Sequence, residues 1–246
     1  MIAALRSELR KIVTLRSTYV IFGFAVLLVL FMDGWVMGYK HTQLGATFVA
    51  DVISSTLMGT GFLLGLIVLL QITQEYRHNT IYYTLTLVRR RTTVFWAKVI
   101  VASLCMMVGA LTISMLGVAS AVAGVAASGD SLGAQSIVWS EILPRAGVYV
   151  WGVGMFALIV GFLVRNQVGA IVLYLFGINI AEQLLTLLLK SNAGYLPFRA
   201  LQGVLGNGTG PGPESFSPEK YMLIVLGWIV ATGASAWVLF VRRDAN

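Results

Sequence analysis

Six long apolar runs, each broken off by a polar or charged segment, set the plan of this 246-residue chain. They cover about Thr18–Met37, Val49–Thr73, Val99–Ala126, Arg145–Val164, Val168–Leu189 and Tyr221–Val241. Each reaches the roughly 20 residues a helix needs to cross the hydrocarbon core of a bilayer. None is built on the period-two alternation of a membrane barrel strand. The pattern predicts an all-α membrane protein: six transmembrane helices forming one domain over residues 1–246.

Two flanking patterns add to this plan. Residues 1–17 place Ile2, Leu5, Leu9, Ile12 and Val13 at helical spacing, with Arg6, Glu8, Arg10 and Lys11 pointing elsewhere. This predicts an amphipathic helix lying in the membrane interface. The first apolar run exceeds the roughly 7–15 residues of a signal-peptide core and has no clear cleavage site behind it, so it is read as a span. Residues 190–220 separate the fifth and sixth spans, and Pro197 suits the first turn of a helix too short to cross. Helix-forming residues end near Gly206–Gly212, where Gly and Pro dominate.

Composition supports lipid as the solvent. Hydrophobic residues make up 58% of the chain and charged ones 11%, against roughly 25% charged in soluble domains. The single cysteine, Cys105, excludes an intrachain disulfide, and His41 and His78 are too far apart to read as a metal pair. The net charge of +7 does not call for nucleic acid, because the cations cluster beside the spans. Twelve lie on one side: Arg6, Arg10, Lys11, Arg16, Arg77, Arg89, Arg90, Arg91, Lys98, Arg165, Arg242 and Arg243. Five lie on the other: Lys40, Arg145, Lys190, Arg199 and Lys220. The positive-inside rule then predicts both termini in the cytoplasm, as an even number of spans requires.

The longest polar connection on the basic side, residues 74–92, carries the most information. Thr80 can cap a short helix from Ile81 to Val88, and Arg89, Arg90 and Arg91 would sit at its C-terminus, where cations are favoured. Such a helix is a docking element for a cytosolic partner, or its arginines simply hold the loop inside.

The order of residues here resembles the first cytoplasmic loop of type-2 ABC transporter permeases, especially actinobacterial ones. That loop reads approximately Glu-aromatic-Arg-x-Gly-Thr, a short apolar helix ending in Leu, a basic cluster, and a Lys opening the next span. Glu75, Tyr76, Arg77, Thr80, Leu85, Arg89, Arg90, Arg91 and Lys98 follow that order. Asn79 stands where glycine is usual, and Val88 where a proline commonly precedes the cluster. The resemblance extends to the amphipathic leader, the six spans and the external segment of residues 190–220. It implies that residues 74–92 form a coupling loop, with Glu75, Arg77, Thr80, Leu85, Arg89, Arg90 and Arg91 contacting a separate ATP-binding subunit. It further implies two copies of that subunit, a second copy of this chain or a related permease, and outward transport of an amphiphilic drug, lipid or natural product across a bacterial cell membrane.

Polar residues within the spans offer other candidates. Asn179, Glu182 and Gln183 are spaced to share a face of the fifth span. They read as a stripe along a translocation path or dimer seam, or as a structural or interfacial carboxyl with neighbours. Asp33 and Asp51 are expected at the outer interface. Gly61/Gly65 and Gly117/Ala121 are small pairs that allow close helix approach.

No phosphate-cradling Walker sequence is present, and no catalytic set lies in the spans. The chain is therefore expected not to be an enzyme by itself, with no cofactor of its own. ATP and magnesium would belong to the partner ATPase. A secondary transporter or channel using Glu182 as a proton or ion site is the competing expectation.

Overall fold

A computed structural model describes residues 2–37, 46–78, 80, 91–129, 132–205 and 216–242. All regular structure among them is helical. The elements are α1 (Ile2–Thr14), α2 (Arg16–Val29, continued by a π-helical stretch Leu30–Met37), α3 (Phe48–Arg77), α4 (Arg91–Ala127) and α5 (Trp139–Val164). Then come α6 (Gln167–Val172), a π-helical turn Leu173–Gly177, α7 (Ile178–Leu189), a 3₁₀ stretch Lys190–Tyr195, α8 (Pro197–Val204) and α9 (Pro218–Arg242). Six helical segments are long and apolar enough to cross a membrane: α2 with its π stretch, α3, α4, α5, the α6–α7 run, and α9.

Burial ranks these spans. α3 and α5 form the centre, and the others surround them, turning residues such as Val20, Leu111, Met115, Leu187, Leu223 and Val230 outward. In a bilayer those side chains meet lipid, which carries no hydrophobic penalty. What holds such helices together is close packing, so small residues line the seams. The Gly61/Gly65 pair does this: a side chain at Gly61 would meet Tyr149, and one at Gly65 would meet Tyr174 and Val153. Gly152 admits Leu201 and Gly154 admits Met106 in the same way. At Gly117, Thr56 and Asp33 fill the space a side chain would take.

Several boundaries differ from the sequence reading. α3 continues to Arg77 and α4 begins at Arg91, so Gln74–Arg77 and Arg91–Lys98 belong to helices rather than to a loop. The helices run on past the apolar windows because their polar ends pack against one another. α5 begins at Trp139, ahead of the expected Arg145, and carries Pro144 in its second turn. The expected helix at Ile81–Val88, with Leu85, Arg89 and Arg90, lies outside the described residues.

Asp33 is not open to its surroundings: it is buried, with the Thr56 hydroxyl 2.5 Å from its carboxylate. It lies near the end of the first span, as counted, and the π-helical stretch packs it against α3 and α4. Asp51 is exposed, as expected, and accepts from the Thr47 hydroxyl.

The short helix between the fifth and sixth spans is drawn into the bundle. Phe198, Ala200, Leu201 and Val204 of α8 are buried, with Phe198 against Phe62 and Phe156.

Candidate functional site

One end of the bundle gathers α1, the last turns of α3, the first turns of α4, the α5–α6 turn and the end of α9. This termini end holds a closed cluster of four charges. Glu8 and Lys11 project from α1, Glu75 from α3 and Lys98 from α4. Lys98 Nζ lies 2.9 Å from Glu8 Oε2 and 2.5 Å from Glu75 Oε1. Lys11 Nζ lies 2.6 Å from Glu8 Oε1 and 2.8 Å from Glu75 Oε1. The Gln71 amide, one turn before Glu75, donates to Glu8 Oε2 at 3.2 Å.

Lys98 and Glu8 are 1% and 2% exposed, so this is an interior site and not a surface ion pair. Charges taken out of water are tolerable only when paired and hydrogen-bonded. Two carboxylates and two ammoniums balance here. Glu75 Oε2 is the exception, buried without a hydrogen-bond partner among the described residues.

Helical spacing builds the cluster. Glu8 and Lys11 are three apart on α1, and Gln71 and Glu75 four apart on α3, so each pair shares a face. The leader is helical as expected, and Ile2, Leu9 and Val13 of its apolar stripe are exposed. Glu8 and Ile12 face the bundle, a packing of the polar edge that the sequence did not show. Pairing with α3 and α4 outweighs the cost of burying a polar edge. The exposed apolar stripe remains available to lipid.

Electrostatics follow from this geometry. Burial works to raise the Glu8 carboxyl, but the charges and hydrogen bonds of Lys98 and Lys11 outweigh it and hold it below its ordinary 4.5. Burial works to lower the Lys11 ammonium, but Glu75 and Glu8 outweigh it and hold it above its ordinary 10.5. A lowered carboxyl stabilises the docked helix above its free value and loses this as pH falls through the docked one. A raised ammonium stabilises docking below its free value and loses this as pH rises through the docked one. Docking of α1 should therefore be insensitive to pH around neutrality. It should weaken below 4.5 and above 10.5, as read by limited proteolysis of the leader across the pH range.

The remaining loop candidates divide. Arg77 is exposed, and its guanidinium donates to Gln167 Oε1 at 3.1 Å. The Thr80 amide donates to the Glu75 carbonyl at 3.0 Å, closing the end of α3. Arg91 opens α4 and donates to the Val241 carbonyl at 3.3 Å, tying α4 to α9. Glu75 is turned inward, so it anchors the root of the loop within the chain.

At the far end, Glu182 accepts from the amides of Phe198 at 2.8 Å and Arg199 at 3.1 Å. Pro197 lacks an amide hydrogen at the first turn of α8, and a carboxylate from α7 satisfies the next two donors. Asn179 donates to the Leu175 carbonyl at 3.0 Å, beside the π-helical turn. Gln183 is exposed while Glu182 is buried. No group of three or more His, Cys, Asp or Glu residues suited to a metal occurs among the described residues.

The fold and composition define a multi-pass all-α membrane protein with six candidate spans. The chain belongs to the DUF2705 family, described as a protein of unknown function, whose model matches residues 10–245. No curated protein matches it.

Proposed function

We propose that this chain is the membrane subunit of an ATP-driven ABC exporter. Paired with a second copy or a related permease, it forms the translocation path and is driven by two soluble ATP-binding subunits. Both termini and the coupling loop face the cytoplasm of a bacterial cell, following the basic-residue asymmetry. The cargo is an amphiphilic drug, lipid or natural product, a class implied by the resemblance of the loop.

The observation that supports this reading best is how the loop is rooted. Its two ends, α3 at Glu75 and α4 at Lys98, are joined by a buried ion pair that also grips α1. A partner pushing on residues between them acts on three helices together. This is the connection a coupling loop requires, because ATP binding in another chain must be felt by the spans. Thr80, Leu85, Arg89, Arg90 and Arg91 are assigned to the partner contact, Arg77 stays at the root of the loop beside Gln167, and Glu75 transmits. ATP and magnesium are held by the partner.

Charge reversal at Arg89 and Arg90 tests the reading without touching the buried pair. The Arg89→Glu/Arg90→Glu variant should remain folded in the membrane and lose co-purification of a soluble ATPase. Undiminished association and transport in that variant would defeat the coupling assignment.

A further inference from the structure

At the termini end, a cleft of about 520 Å³ opens between the end of α3 and the start of α6. Tyr76 and Arg77 form one wall, Arg165 and Asn166 the turn, and Gln167, Val168 and Ile171 the other wall. Arg77 reaches across to Gln167. Arg165 occupies a left-handed turn (φ 54°), which directs its guanidinium over the Tyr76 ring at 5.7 Å and toward the Leu239 carbonyl at 3.4 Å. The cleft thus has two permanent cations and no carboxylate along its described walls. The Tyr76 hydroxyl, in the same wall, is buried without a hydrogen-bond partner among the described residues.

Position narrows the ligand. α3 ends at Arg77 and α5 at Val164, so both arginines stand at the ends of their candidate spans. Below them, Val168 is exposed, and the surface continues through Val172 and Phe176, also exposed and apolar. A charged rim above an apolar wall fits a molecule with an anionic head and hydrocarbon chains. Guanidinium groups match phosphate oxygens in geometry and charge, and basic pockets between spans at the headgroup level are suited to anionic lipids.

We propose that this cleft is a binding site for a phosphate-bearing anionic lipid. Arg77 and Arg165 take the headgroup phosphate, and the chains lie along Val168 and Ile171. The site does not depend on the transporter reading, since it needs only the bilayer.

The test uses the full chain in detergent with phosphatidylglycerol and phosphatidylcholine of identical chains, scored by retained lipid in native mass spectrometry. Wild type should retain phosphatidylglycerol with a preference of about tenfold, the scale of a charge-assisted hydrogen bond. Arg77→Gln with Arg165→Gln should abolish the preference, and Arg77→Gln alone, at an exposed helix end, should reduce it if the double variant does not fold. Arg145→Gln, at the opposite end of α5, should leave it unchanged. Equal retention of both lipids by wild type would overturn the proposal. So would displacement of the lipid by equimolar inorganic phosphate, which would assign the site to the free anion. Loss of ATPase co-purification from Arg77→Gln with lipid preference intact would also overturn it, assigning the arginines to a protein partner.

Discussion

Replacing Lys98 with methionine should destabilise the protein by about 3–5 kcal/mol, the cost of stripping one partner from a buried ion pair. Methionine fills the stem of the lysine, so little of the loss comes from packing. The loss comes from the two carboxylates left behind. Glu8 keeps Lys11 and Gln71, and Glu75 keeps Lys11, but one cation cannot balance two buried anions. The thermal midpoint in detergent should fall, and the leader should become protease-sensitive because α1 loses its tie to α4. Adding Glu8→Gln to Lys98→Met should recover much of the loss by restoring neutrality. A Lys98→Met protein that melts like wild type would show that the cluster does not secure the fold.

Gly65→Ala should cost about 1–3 kcal/mol, the usual price of overpacking. A methyl group there would collide with the Tyr174 hydroxyl. That tyrosine is fully buried, with its hydroxyl 3.3 Å from the Phe62 carbonyl, so it cannot step aside without losing this bond. Tyr174→Phe removes the colliding oxygen. The double variant should therefore be less unstable than the two single losses added together, a coupling that a double-mutant cycle reads directly. Gly59→Ala is the control: nothing lies within 4 Å of its added methyl, so helix propensity alone favours it slightly. Additive losses at Gly65 and Tyr174 would mean that the seam between α3 and the π-helical turn relaxes around the methyl.

The six spans were legible because lipid imposes a length and a hydropathy that few other environments demand. Gly61 and Gly65 were legible for a related reason, since small residues repeat where helices touch. Glu8 was not. A polar residue in an amphipathic leader is ordinarily solvated, and only its partners on α3 and α4, more than sixty residues away, make its burial tolerable. A signal was nonetheless present: Gln71 and Glu75 continue the helical spacing of α3 past its apolar run, and Lys98 lies within the next helix. The burial of Asp33 was not legible, because its partner Thr56 lies on another helix. For Glu182 the sequence showed an acid within a span but not its purpose. The amides it serves belong to α8, beyond a 3₁₀ stretch that no periodicity announces.

The length of α4 has a mechanical consequence. Its 37 residues extend about 55 Å at 1.5 Å per residue, against a hydrocarbon core of about 30 Å. Gly109 lies midway along it, eighteen residues from either end, with Leu64 of α3 against its bare backbone, and Gly117 takes Thr56 and Asp33 in the same way. A stiff rod seated on its neighbours near its centre behaves as a lever. A tilt that draws the Arg91 end one way carries the Ala127 end the other. Gly109 and Gly117 are then the seat of the pivot, and a bulkier residue at either would shift it while leaving both ends of the rod unaltered.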